Sequence, residues 1–224
     1  LHKAIRRQRQ MCIRDRIMRK PKSEPSLREM FNKYHWLSRE CTDALESIAV
    51  REEFSPEQVM VRQGEICDYI FLNAKGITRV SMAKNGKADT ICFGGVGDVF
   101  MSFRALHTGE PALFTLSAVS EVAAYRIPVR KFRNLRVKYQ ELDTWLANLL
   151  IEQIYSFEML YSLLTLSPAE ERLKNFWDFN TDNLRHLPRT KLSRVVPLKI
   201  LAQYLGMAPQ TLSKLRRKYV GKSV

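Results

Sequence analysis

The stretch PLKILAQYLGMAPQTLSKLRRKY, residues 197–219, determines how the C-terminal part of the chain folds. Its first half, residues 197–205, has leucines three and four positions apart, which predicts one apolar face of a short helix. Gly206 then supplies a turn, because glycine adopts the left-handed backbone conformation without a steric cost. A second helix is predicted for residues 209–219, since proline suits the first helical position. Two short helices around one glycine turn are typical of the helix-turn-helix motif.

The positive charge of the chain is concentrated at its two ends. The whole chain has a net charge of +14, of which residues 183–224 carry +10 without any acidic residue and residues 1–22 carry +8. The residues between them therefore have a net charge of −4. Basic charge beside a helix-turn-helix pattern favours double-stranded DNA as a partner, because phosphates attract Lys and Arg. The candidate DNA-contacting residues are Pro209, Gln210, Thr211, Ser213, Lys214, Arg216, Arg217 and Lys218.

Composition places the chain among globular proteins. Hydrophobic residues make up 45% of the 224 positions, enough for sizeable cores, and no apolar run is long enough for a transmembrane helix. We therefore expect a cytoplasmic protein with no membrane partner. The four cysteines are too far apart for a zinc site or a small disulfide framework. No metal site, catalytic residue or cofactor is predicted, and the protein is not expected to be an enzyme.

Residues 54–127 have the sequence pattern that is typical of a small β-roll or barrel. Short β-branched and aromatic runs alternate with glycines, and the Asn-Gly pair at 85–86 is the strongest hairpin-turn signal in the chain. Residues 26–50 instead have helical spacing that opens with a capping-box pattern at 26–29. Strands are predicted at Val59–Val61, Tyr69–Leu72, Ile77–Met82, Thr90–Phe93 and Ala118–Ile127.

A long helical stretch is predicted for residues 129–166. Six of its residues are spaced four, three, four, three and four apart, which is typical of a coiled-coil seam interrupted by one polar residue. A second copy of the chain would bury this seam, and we therefore favour a homodimer. Packing against the chain's own roll is the alternative, and the helix is apolar enough for both. The predicted dimerisation residues are Leu146, Leu150, Gln153, Phe157, Leu160 and Leu164.

Several short segments carry a resemblance to a known family. They are Val61–Glu65, Tyr69–Leu72, Lys75-Gly76, Gly97–Phe100 and Leu198–Lys218. In this order they resemble the Crp/Fnr family of bacterial transcription regulators over about residues 26–220. The resemblance implies an α+β fold, in which N-terminal helices and a cyclic-nucleotide-binding-like β-roll precede a long dimerisation helix and a C-terminal helix-turn-helix domain. It also implies a small-molecule or redox signal that alters DNA affinity in the dimer, and RNA polymerase as a further partner.

The chain departs from the family in the cassette that binds a cyclic phosphate. Residues 101–103 are Met-Ser-Phe where the family has Gly-Glu-Leu, and residues 112–113 are Ala-Leu where it has Arg-Ser. The phosphate needs a close backbone approach and a charged hydrogen bond, whose loss costs roughly 1.5 to 3 kcal/mol, or about tenfold to hundredfold in affinity. Cyclic AMP is therefore not expected to bind, and the effector is unknown. The effector-pocket candidates are Met101, Ser102, Phe103, Arg104, Ala112 and Leu113.

The resemblance also raises the question of an iron–sulfur or haem cofactor. Cys12 and Cys41 are too isolated to form the clustered cysteines of the family's iron–sulfur members, whereas haem ligation by His35 or His107 stays an open alternative.

On the second C-terminal helix, the resemblance implies that Pro209, Gln210 and Lys214 face the bases. Gln210 can pair with adenine, and Lys214 with guanine or a phosphate. The residues expected to bind the DNA backbone are Arg216, Arg217 and Lys218.

The predicted domains are a basic leader expected to be disordered (1–25), a β-roll sensor domain (26–128), a dimerisation helix (129–166) and a helix-turn-helix domain (167–224). The predicted function is that of a sequence-specific DNA-binding transcription regulator of the Crp/Fnr type, not controlled by cyclic AMP. The alternative is a ligand-binding or protein-interaction module with a nonspecific basic tail. A third possibility is a cyclic-nucleotide receptor that uses an altered cassette.

Overall fold

The computed structural model describes residues 24–179 and 196–220 of the chain. The predicted basic leader lies outside these ranges except for its last two residues. Within the described ranges, every helix is too short or too polar to cross a membrane.

The chain order of the elements is helices first, then a β-rich region, then helices again. The described helices are α1 (Leu27–Asn32), α2 (Arg39–Ile48), α3 (Phe103–His107), α4 (Val129–Lys138), α5 (Glu141–Leu166), α6 (Ala169–Phe179), α7 (Leu198–Tyr204) and α8 (Pro209–Val220). The described strands are β1 (Val50–Phe54), β2 (Val59–Val61), β3 (Tyr69–Lys75), β4 (Thr78–Lys84), β5 (Lys87–Gly94), β6 (Val99–Phe100), β7 (Thr115–Ala118) and β8 (Val122–Pro128).

The strands form two antiparallel four-stranded sheets, which together make the β-roll. One sheet has the strand order β1-β8-β3-β6, and the other has the order β2-β7-β4-β5. Among the described strands, β5 is therefore an edge strand, which pairs with β4. The predicted α+β class with an antiparallel roll is confirmed. Three strands, β1, β6 and β7, were not predicted, because the predicted strand at 118–127 corresponds to β8 and overlaps β7 only at Ala118.

Local sequence signals place the first helix and the main hairpin. The Ser26 hydroxyl accepts a hydrogen bond from the Glu29 amide at 3.2 Å, while the Glu29 carboxylate accepts one from the Ser26 amide at 2.8 Å, which confirms the capping box. Asn85 and Gly86 have φ values of 53° and 76° and join β4 to β5. Positive φ at both central residues is what a type I′ hairpin turn requires, and the predicted turn is confirmed.

The predicted helical stretch 129–166 is two helices, α4 and α5, rather than one. Tyr139 interrupts it with an extended backbone (φ −121°, ψ 92°). The interruption lets both helices cover one core, because α4 presents Phe132 and α5 presents Trp145, and the two rings lie 5.9 Å apart. Trp145 also donates its indole N–H to the Phe31 carbonyl at 2.9 Å, which fixes α5 to α1.

Three groups of buried side chains hold the chain together. The helical core lies between the roll and helices α1, α2, α4 and α5, and includes Phe31, Leu45, Ile127, Phe132 and Trp145. The roll core fills the space between the two sheets and includes Phe54, Phe71, Val80, Leu116 and Ala124. The C-terminal core includes Leu173, Phe176, Leu201, Tyr204, Leu205 and Leu212 together with Ile77 and Phe93 of the roll. The C-terminal helices therefore share a core with the roll.

Candidate functional site

The two C-terminal helices pack as the sequence spacing predicts. Leu201 and Ala202 of α7 and Leu212 of α8 are fully buried against each other's elements. Gly206 has a φ of 59°, in the left-handed region that glycine tolerates, and the Met207 amide donates to the Ala202 carbonyl at 3.0 Å. The turn therefore ends α7 sharply and starts α8 within a few residues.

Helix α8 turns most of its polar side chains to solvent. Leu212 is its buried anchor, and Leu215 is half-buried beside the C-terminal core. Ser213 and Arg216 are half-buried. The exposed members of the predicted DNA-contacting set are Pro209, Gln210, Thr211, Lys214, Arg217 and Lys218. The structure thus brings the base-facing and backbone-binding candidates together on one helix surface.

Helix α6 supports this surface through two contacts that the sequence did not predict. Lys218 donates to the Glu170 carboxylate at 2.8 and 3.1 Å, so this predicted phosphate contact is already paired with an acid. Arg172 donates to the Gly206 carbonyl at 3.1 Å and to the Ser167 carbonyl at 3.0 Å, which ties the turn to the end of α5. The contacts of Lys218 with Glu170 and of Arg172 with Gly206 join residues that are far apart in sequence. The spacing of apolar residues could therefore not predict them.

The effector-pocket candidates lie in different environments. Met101 is 5% exposed and belongs to the helical core, whereas Ala112 is 1% exposed and belongs to the roll core. The Ser102 hydroxyl caps α3 by accepting from the Ala105 amide at 3.2 Å. Phe103 and Leu113 are the exposed apolar members of the set.

The basic candidate beside the cassette is engaged by an acid. Arg104 donates through Nε to the Glu110 carboxylate at 2.8 Å, and this contact lowers the pKa of Glu110. On the other side of α3, Arg133 of α4 donates to the Ala105 carbonyl at 2.7 Å and to the Leu106 carbonyl at 2.9 Å. Arg133 was not among the predicted site residues, although it fixes the C-terminal end of α3. Because Arg104 is already paired with Glu110, it would have to leave that carboxylate before it could bind an anion in the cassette.

The predicted dimerisation residues lie in three different environments. Leu146 is buried in the helical core, and Leu160 packs against the C-terminal core. Gln153 and Leu164 are half-buried. Leu150 and Phe157 are exposed, with 37% and 54% of their surface accessible.

A continuous exposed surface nevertheless runs along α5, and we call it the apolar stripe. It consists of Leu150, Ile154, Phe157 and Tyr161, spaced four, three and four apart. It shares Leu150 and Phe157 with the predicted seam but contains Ile154 and Tyr161 rather than Gln153 and Leu160, so it is rotated slightly around the helix relative to that prediction. The spacing keeps the 3.5-residue repeat of a two-helix seam.

Comparisons with known proteins bear on the roll most directly. Residues 51–139 match the family model described as the cyclic nucleotide-binding domain. The β-roll has the cyclic nucleotide-binding fold. A comparison with curated protein sequences finds no relative of the chain.

Solved structures with the same fold extend the likeness beyond the cyclic nucleotide-binding domain. FixK2 from Bradyrhizobium japonicum has a TM-score of 0.64 at 15% identity, over 79% of this chain and 87% of that chain. The c-di-GMP responsive global regulator CLP from Xanthomonas campestris has a TM-score of 0.63 at 10% identity, over 82% and 92%. A CooA mutant from Carboxydothermus hydrogenoformans has a TM-score of 0.59 at 17% identity, over 92% and 88%. At these identities the likeness shows the fold alone.

Within the cyclic nucleotide-binding domain, the turn before the cassette is held by α1. Lys33 donates to the Asp98 carboxylate at 3.0 Å and to the Gly97 carbonyl at 3.3 Å, and the Gly95 amide donates to Asp98 at 2.9 Å. Burial opposes the charge on Lys33, but the attraction and hydrogen bonds of Asp98 and Tyr34 together outweigh it and raise the pKa of the ammonium. The Tyr34 hydroxyl also donates to the Gly97 carbonyl, at 3.3 Å. The motif at 97–100 thus fixes the roll to the N-terminal helices.

The described cysteines do not form a reactive or metal-binding cluster. Cys41 and Cys67 are buried, and Cys92 is half-buried. Burial raises the pKa of Cys41 and of Cys92 to about 12 each, which keeps both as thiols at neutral pH. No three His, Cys, Asp or Glu residues among residues 24–179 and 196–220 lie close enough together to hold a metal ion.

Proposed function

We propose that the protein is a sequence-specific DNA-binding transcription regulator of the Crp/Fnr type, which acts as a homodimer and is not controlled by cyclic AMP. The observation that carries the proposal is the exposed polar surface of α8, anchored from below by the buried Leu212. Gln210 and Lys214 lie one helical turn apart on this surface, a spacing that suits contact with neighbouring bases.

The surface has the chemistry that a DNA groove requires. A glutamine amide can donate to and accept from one adenine edge, and exposed Lys and Arg side chains can neutralise phosphates. No acidic residue occurs after position 182, so the positive field around α8 is not cancelled by its own chain segment. RNA polymerase is a second expected partner, by resemblance to the family only.

The homodimer is supported by the apolar stripe on α5. Four exposed apolar side chains in a row on a 26-residue helix are unusual for the surface of a monomer, and a second copy can cover them through a two-fold axis. A two-fold dimer would also place two copies of α8 for the two half-sites of a symmetric DNA sequence.

Independence from cyclic AMP is supported by the contacts that the cassette residues already make. Met101 and Ala112 are buried in separate cores, and the Ser102 hydroxyl is used as a helix cap. Arg104, the nearest predicted cation, is paired with Glu110. A cyclic phosphate would therefore have to displace existing contacts before it could bind.

Selection of binding sites from random double-stranded DNA tests the proposal. We expect an enriched motif with two-fold symmetry, whose half-sites are about one helical turn, or roughly 10 base pairs, apart. The Gln210→Ala variant is the matched control, because it removes one proposed base contact and leaves the charge unchanged. DNA binding without any enriched motif would support the nonspecific basic tail instead, and the absence of DNA binding at low salt would reject the proposal.

A further inference from the structure

Gln203 of α7 joins the C-terminal helices to the edge strand of the roll. Its side-chain amide donates to the Ala88 carbonyl at 2.7 Å and to the Asp89 carboxylate at 2.8 Å. Its side-chain carbonyl accepts from the Thr90 hydroxyl at 3.4 Å. The Thr90 oxygen also accepts from Arg79 at 2.9 Å, which leaves the hydroxyl proton free to point at Gln203. One side chain therefore contacts three consecutive residues of β5.

Aromatic packing surrounds this polar contact. The rings of Phe93 in β5 and Tyr204 in α7 lie 5.2 Å apart at 67°, and Tyr204 lies 5.7 Å from Phe176 of α6 at 66°. Phe93 and Tyr204 are buried, as is Ile77 beside them. The polar and aromatic contacts together fix the orientation of α7 relative to the roll, because hydrogen bonds and tilted ring pairs are both directional.

A second glutamine holds the same hairpin on its other edge. Beyond the end of β7, the Ala83 amide of β4 donates to the Gln63 side-chain carbonyl at 2.7 Å, and the Gln63 amide group donates to the Ala83 carbonyl at 3.1 Å. The next residue, Gly64, donates to the Ala112 carbonyl at 2.8 Å. The β4–β5 hairpin is thus fixed between the cassette loop on one side and α7 on the other.

We propose that Gln203 is a positioning residue, which docks the C-terminal helices on the β4–β5 hairpin and so holds α8 ready for DNA without a bound effector. This inference rests on the proposed function. The docked surface belongs to α7, while Gln210, Lys214 and Arg217 of α8 stay exposed. Docking is therefore compatible with DNA contact. If the two helices left the hairpin, only the fraction of molecules with α8 in the correct orientation would bind DNA.

Replacing Gln203 by Glu tests the proposal with a side chain of nearly the same shape. The new carboxylate would face the Ala88 carbonyl and the Asp89 carboxylate, where two hydrogen bonds now exist. We expect affinity for the selected DNA site to fall about tenfold or more, because losing these bonds and adding a like charge shifts the docking equilibrium by at least that factor. The dimer, measured by sedimentation, should stay intact.

The rescue variant separates positioning from general damage. Adding Asp89→Asn to Gln203→Glu supplies an amide that can donate to the new carboxylate, and we expect it to recover part of the lost affinity, because the Ala88 carbonyl still faces that carboxylate. Asp89→Asn alone keeps an oxygen acceptor for the Gln203 amide and should lose less affinity than Gln203→Glu does. Gln140→Glu, which adds the same charge at an exposed position before α5, is the matched control and should bind DNA as the parent does. Gln63→Ala, on the opposite edge of the hairpin, should give a smaller loss in the same direction. Thermal unfolding of each variant checks that it folds.

The outcomes distinguish this inference from the function on which it rests. If the parent protein does not bind a selected DNA site, the proposed function fails and the positioning role fails with it. If the parent binds and Gln203→Glu binds equally well, only the positioning role is rejected. Tighter DNA binding by Gln203→Glu would mean that docking inhibits the protein, which also overturns the proposal. Loss of affinity without rescue by Asp89→Asn would reduce Gln203 to a general structural residue.

Discussion

Replacing Phe157 by alanine tests whether the apolar stripe joins two chains. Phe157 is 54% exposed in the single chain, which corresponds to about 110 Å² of the roughly 200 Å² that a phenylalanine presents. At about 25 cal/mol per Å², covering this area contributes about 2 to 3 kcal/mol per chain. A symmetric dimer buries the residue twice, so the contribution is about 5 kcal/mol. Because alanine keeps part of the contact, we expect the dimer dissociation constant to rise by about a thousandfold.

Sedimentation velocity over a range of protein concentrations measures this change. Tyr155→Ala is the matched control, since Tyr155 is 59% exposed on the same helix but lies about 160° around it from Phe157. It should leave the dissociation constant near the parent value. A Phe157→Ala protein that dimerises like the parent would refute the reasoning, and so would an equal loss in Tyr155→Ala.

Three further predictions concern DNA, effector and cysteine chemistry. Gln210→Ala should cost roughly 1 to 3 kcal/mol at the preferred DNA sequence and little on scrambled DNA, whereas Arg217→Ala should weaken both and lower the salt slope by about two per dimer; titration at several salt concentrations separates them. Cyclic AMP and cyclic GMP should give no binding heat in calorimetry, and a low micromolar dissociation constant for either would contradict the proposed independence from cyclic nucleotides. Cys41 and Cys92 should react with iodoacetamide at pH 8 at least about a thousandfold more slowly in the folded than in the unfolded protein, because burial holds their thiol pKa near 12; equal rates by mass spectrometry would show otherwise.

Local signals in the sequence were sufficient for elements whose cause is local. The hairpin turn at 85–86, the capping box at 26–29 and the turn at Gly206 each depend on backbone conformation or on residues within one turn of each other. The strand Val59–Val61 has the predicted bounds. These features follow from residue type and short-range spacing, and distant parts of the chain do not change them.

Strand β1 could not be predicted, because its formation depends on a distant partner strand. Its central residues Arg51, Glu52 and Glu53 are charged, a composition that argues against a strand. In the fold, Glu52 forms an ion pair with Arg126 of β8 at 2.9 Å, and Arg51 contacts Glu53 at 2.9 Å. The partner strand therefore accommodates the charge, and Arg126 lies 75 or so positions further along the chain, beyond the reach of local patterns.

Which face of α5 is exposed also depended on distant packing. The predicted seam and the apolar stripe both contain Leu150 and Phe157, and both satisfy a three- and four-residue spacing. Periodicity alone cannot choose between them. Leu160 packs against the C-terminal core, whereas Tyr161 remains exposed. This packing therefore decides which of the two residues lies on the exposed face of α5. The cassette departure, by contrast, was visible in the residue types themselves, and the burial of Met101 agrees with it.

The docking of α7 on β5 has a consequence for the solubility of the protein. Strand β5 is the last strand of its sheet, and an uncovered strand edge presents backbone groups that can pair with the edge of another molecule. Gln203 occupies the Ala88 carbonyl, and Tyr204 covers Phe93, so both the backbone and the apolar side of this edge are protected. A chain that lost its C-terminal helices would therefore be expected to aggregate through β5, and the helices that we propose to bind DNA would also keep the roll monodisperse.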